Sequence, residues 1–73
     1  MYRKFKVIKN VGVQGLDQQI KKGTEITIVD EKIYCNGGMV DNMFYDIFYD
    51  LISQELSKGF HFLKEESIPY NKV

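Results

Sequence analysis

Two tyrosine–aspartate pairs, Tyr45-Asp46 and Tyr49-Asp50, recur four residues apart, the spacing that sets side chains one turn apart on a helix. Carboxylates so placed can hold a cation or share a proton. Tyrosines so placed offer large rings with polar tips at low entropic cost, which suits a protein interface. A second set, Arg3, Lys4, Lys6 and Lys9, is interleaved with Tyr2 and Phe5, the pattern of a basic strand that contacts phosphates and stacks on bases. The remaining reactive groups are single: one thiol, Cys35, and one imidazole, His61.

Most chemistry fails on these residues. A Cys35–His61 dyad across neighbouring strands would lack the third group that orients the base, and one Cys with one His cannot complete a zinc site. Asn36-Gly37-Gly38 precedes a helix and its amides could face an anion. Asp41 already puts a carboxylate there, however, and no lysine follows as a phosphate loop requires. Asp46 and Asp50 read as solubilising charge rather than a metal pair. The expectation is a protein that is not an enzyme and carries no metal or cofactor.

The element that must position the Tyr-Asp pairs is an amphipathic helix from Asp41 to Lys58. Val40, Met43, Phe44, Ile47, Phe48, Leu51, Ile52 and Leu56 recur at spacings of three and four, forming the core-facing stripe. Asp41 suits the N-cap and the positive end of the helix dipole. Lys58-Gly59 supplies a basic last turn and a glycine able to take the left-handed C′ conformation.

Around the helix the pattern changes to period two. Tyr2 to Val11 reads as a strand, with Phe5, Val7 and Val11 on one side and Ile8 interrupting the alternation. Gly12 to Asp17 reads as a loop, anchored by Leu16 and Ile20. Lys22-Gly23-Thr24-Glu25 is a turn feeding the β-branched run to Val29, and Asp30-Glu31 joins it to Lys32–Cys35 as a tight hairpin. Asn36-Gly37-Gly38 ends that arm and suits a reversal into the helix. Phe60–Leu63 reads as a last strand, Pro69 as the end of pairing, and residues from about 67 to 73 as a tail. The predicted order is β-β-β-α-β, an α+β domain with one helix across a mostly antiparallel sheet.

Composition bounds the rest. At 73 residues there is room for one domain, 1–73. An apolar content of 44% argues against disorder, and five Phe with five Tyr let a small core bury much area. A single cysteine excludes an internal disulfide. No run approaches the roughly 18 apolar residues of a membrane span, and the basic start lacks the apolar run of a signal peptide, so a cytoplasmic location is expected. Net charge is zero but unevenly spread. Residues 1–22 carry six basic groups against Asp17, a net +5, whereas residues 23–57 carry Lys32 against seven acids, a net −6. Overall neutrality, with a pI near 6.5, argues against an autonomous nucleic-acid domain.

The run Lys22-Gly23-Thr24-Glu25-Ile26-Thr27-Ile28, then Ile33-Tyr34-Cys35-Asn36-Gly37-Gly38 and an aromatic helix, resembles small orphan proteins of phages and prophages of low-GC Gram-positive bacteria. So does the alanine-free, Lys- and Asn-rich composition. The resemblance covers residues 22 to 63 and implies a short accessory protein that binds and blocks a host protein, in the host cytoplasm. It carries over no functional residue. The function expected is therefore non-enzymatic binding of a macromolecule through Tyr45, Asp46, Tyr49 and Asp50. The alternatives are nucleic-acid binding through Arg3, Lys4, Lys6 and Lys9, or a homo-oligomer with a ligand pocket or structural role between copies.

Overall fold

The alternation in Phe5 and Val7 and in Ile26 and Ile28 sends every second side chain of two strands to the same side, and that side needs a cover. In the computed structural model, which describes residues 2–66, the cover is the helix. Strands β1 (Tyr2–Val7), β2 (Glu25–Val29), β3 (Lys32–Cys35) and β4 (Gly38–Met39) precede α1 (Asn42–Lys58), and β5 (Leu63–Glu66) follows it. The sheet runs β4-β3-β2-β1-β5, with every pairing antiparallel. This is the α+β architecture expected, with one short strand added.

The core lies between one face of the sheet and one face of α1. Phe5, Val7, Ile26, Ile33 and Leu63 come from the strands, Phe48, Leu51 and Ile52 from the helix, and Ile20 from the first loop. Register aligns them, since Phe5 pairs with Ile26, Val7 with Leu63 and Ile28 with Ile33. The loop anchors behave as expected: Ile20 is buried and Leu16 packs against the core.

Several boundaries differ from expectation. β1 stops at Val7 rather than Val11, Ile8 falls on the side away from the core and is exposed, and Val11 pairs instead with Ile20 as an isolated bridge. Asn36-Gly37 does not turn directly into the helix. Both residues take positive φ, 51° and 88°, as a type I′ hairpin turn demands, and the chain doubles back as β4. The last strand begins at Leu63, so Phe60 and His61 lie in the connection from α1. Asp41 occupies the N-cap, yet its side chain makes no capping bond. Gly59 ends the helix with φ 103° and ψ 154°, outside the left-handed helical region. The expected tail, 67–73, lies outside the described residues.

The apolar stripe is also narrower than its spacing suggests. Met43 is 73% exposed and Leu56 43% exposed, while the buried helical positions are Phe48, Leu51, Ile52 and Glu55. These stand at i, i+3, i+4 and i+7, a single file down the helix. The first loop lies along the Ile47 flank, where Gly15 has φ 99° and a methyl group built on it would stand 2.8 Å from Ile47 Cδ1. Gly15→Ala should therefore destabilise the fold by about 1–2 kcal/mol. Adding Ile47→Val should recover only the steric part in a thermal melt, because the backbone strain stays.

Candidate functional site

Tyr45 and Tyr49 lie on the flank of α1 next to the buried file. Their rings stack in parallel, with centroids 6.0 Å apart and planes at 13°. Tyr45 is half-buried and packs against the core, whereas Tyr49 is 52% exposed. The two rings thus form a wall rooted in the core at one end and open to water at the other.

That wall faces the sheet across an open groove of about 800 Å³. Ile28, Ile33 and the Asp30-Glu31 turn form the opposite side, and Asn42 and Leu56 mark its ends along the helix. Asp46 is exposed and lines the same groove. Asp50 does not: it faces a separate depression with Val11, Gln14, Ile47 and Gln54. Of the four residues expected to act together, the fold brings Tyr45, Asp46 and Tyr49 to one surface and turns Asp50 away. Asp30, Glu31, Ile28 and Leu56 join them, which helix periodicity alone could not reveal.

The basic strand is divided by its own pleat. Arg3 shares the helix-side face with Phe5 and Val7, and its guanidinium makes two bonds to Glu65, Nε to Oε2 at 2.7 Å and Nη2 to Oε1 at 2.6 Å. It also lies 5.5 Å from the Phe5 ring centroid, a cation–π placement. Lys4 and Lys6 point to the uncovered face, where Lys4 pairs with Glu25 at 3.4 Å and Lys6 stands in register with Lys64. Lys9 lies beyond the strand. The four cations therefore do not form one patch.

The Arg3 hydrogen bonds hold the Glu65 carboxyl below the ordinary glutamate range and raise Arg3 above its own. A carboxylate whose pKa is lowered by folding stabilises the fold above its unfolded pKa and ceases to do so as pH falls through its folded pKa. Glu65→Gln should therefore cost about 1 kcal/mol at neutral pH. The gap to wild type in urea melts should narrow as pH falls below the ordinary glutamate pKa and close once pH passes the lowered folded-state pKa, as the wild-type Glu65 carboxyl protonates.

Glu55 has a different task. It is only 3% exposed, and its Oε1 accepts three backbone N–H groups, from His61 at 2.8 Å and from Phe62 and Leu63 at 3.0 Å each. One side chain on the buried file thus fixes the turn from α1 into β5. The sequence signal was present: Glu55 follows Phe48, Leu51 and Ile52 at stripe spacing, just before the helix stop.

Cys35 and His61 do not meet. β3 and β5 are separated by β2 and β1, about 14 Å of sheet at the usual strand spacing. Cys35 is half-buried on the core side, and burial pushes its thiol pKa up, away from the thiolate a nucleophile needs. Among the described residues no three His, Cys, Asp or Glu side chains converge as a metal site would require, and no helix is long and apolar enough to cross a membrane.

Fold and site together define a small α+β domain with an acidic, tyrosine-walled groove beside its helix. The chain matches no protein-family model, no curated protein and no solved structure.

Proposed function

We propose that this chain is a non-enzymatic binding module that engages a protein partner through the groove beside α1, in keeping with an accessory protein of the phage type acting in a host cytoplasm. The observation that carries this reading is the stacked Tyr45–Tyr49 wall, half-exposed at Tyr49, on an open concave surface. Tyrosines at the edge of a groove supply contact area at little entropic cost. The immobilised protein should retain a partner from a lysate of a low-GC Gram-positive host. Tyr49→Ala with Asp46→Ala should release that partner while moving stability by no more than about 0.5 kcal/mol, as surface changes do. Retention unchanged in that double variant would move the function off the groove.

The second reading, nucleic-acid binding, has an observation of its own. Lys6 and Lys64 stand directly opposite on the uncovered sheet face, a like-charge pairing that costs stability. Tyr2, Thr27 and Tyr34 share that face by register. Lys4 is already paired with Glu25 there, and Arg3 and Lys9 lie elsewhere. Retention of single-stranded DNA that falls steeply with salt and disappears in Lys6→Glu with Lys64→Glu would favour this face. A homo-oligomer assembled through the groove is the third reading; a monomeric mass at micromolar concentration would remove it.

A further inference from the structure

Resting on the groove reading, we infer that the occupant is an extended segment of a partner protein bearing arginine or lysine beside an apolar side chain. Two features of the groove set the chemistry. Its walls are apolar or aromatic where Ile28, Tyr45, Tyr49 and Leu56 line it, and its charge is acidic where Asp46 and Glu31 do. Among the described residues the cation on its lining is Arg3, whose Nε and Nη2 donors are committed to Glu65, so its charge is met there rather than by Asp46 or Glu31.

A cationic side chain therefore finds complementary charge and aromatic rings in one place, the setting in which ammonium and guanidinium groups bind. A nucleic acid meets repulsion there, and a divalent ion meets no converging set of three ligands among the described residues. Length selects a peptide over a small cation. From Asn42 to Leu56 the groove follows 15 residues of helix, a rise of about 21 Å at about 1.5 Å per residue, which matches about six residues of extended chain. The protein's net charge is zero, so a preference for basic ligands has to be local.

The test titrates the full chain with dye-labelled hexapeptides that alternate leucine with arginine, with glutamine or with glutamate, followed by fluorescence anisotropy. The arginine peptide should bind about tenfold more tightly than the glutamine peptide, and the glutamate peptide should not bind. Tyr49→Ala and Asp46→Asn should each weaken the arginine peptide about five- to tenfold, and raising salt should weaken it further. Equal binding of arginine and glutamine peptides, both lost in Tyr49→Ala, overturns the charge preference and leaves the groove reading standing. Binding of the arginine peptide that neither substitution alters overturns both. Binding of free arginine amide as tight as that of the peptide overturns the extended-segment assignment.

Discussion

Glu55→Ala should lower the stability of this domain by about 2–4 kcal/mol, the largest loss expected from any single polar side chain here. The alanine removes one acceptor and leaves three N–H groups, on His61, Phe62 and Leu63, without the oxygen that satisfies them. Leu63 is fully buried, so water cannot replace the lost acceptor there without opening the core. A domain of this size holds only a few kcal/mol in reserve, and much of the population should unfold at moderate temperature. Glu55→Gln keeps an oxygen in place and loses only the charge; it should cost about 1 kcal/mol. Urea melts of both variants at constant m-value measure the difference. Glu55→Ala within 0.5 kcal/mol of wild type, on the scale of an ordinary surface change, would show that the connection does not depend on this carboxylate.

The two tyrosines should separate binding from folding. Tyr49→Ala removes the exposed half of the stack and should weaken partner capture by about 2 kcal/mol, roughly thirtyfold, with little change in the melt. Tyr45→Ala removes a ring that packs against the core, so it should lower capture and also cost about 1–2 kcal/mol of stability. Tyr45→Phe should restore most of the packing and keep the stack. Affinity by calorimetry and stability by thermal melt, taken on the same three variants, resolve the two effects. Loss of stability in Tyr49→Ala equal to that in Tyr45→Ala would mean that both rings serve the core, leaving no free wall for a partner.

Much of the architecture was legible because local signals and packing agree. The β-branched run before Asp30-Glu31, the apolar file of α1 and the stop at Lys58-Gly59 each point to the element that forms. The misreadings arose where a residue's role is decided by a distant partner. Met43 and Leu56 sit at helical spacing, but they lie outside the buried file of Phe48, Leu51, Ile52 and Glu55 and stay exposed. His61 and Phe62 look like a strand; their N–H groups are instead taken by Glu55, whose burial only the three-dimensional arrangement reveals. Arg3, Lys4, Lys6 and Lys9 read as one cluster along the chain, yet the pleat sends Arg3 to Glu65 and the next lysines to the far face. Half of the candidate site was visible in the spacing of Tyr45, Asp46 and Tyr49. The other half, Ile28 and the Asp30-Glu31 turn, lies on strands whose approach to α1 depends on register, and register is not written in any one segment.

The claim on which the functional account stands is that the groove beside α1 is where a ligand binds. Amide chemical-shift mapping of the isotopically labelled protein, titrated with the leucine–arginine hexapeptide, tests it most directly. The account predicts shifts concentrated at Ile28, Glu31, Tyr45, Asp46, Tyr49 and Ser53, with the uncovered sheet face silent. Shifts centred on Lys4, Lys6, Tyr34 and Lys64, with α1 unmoved, would contradict it.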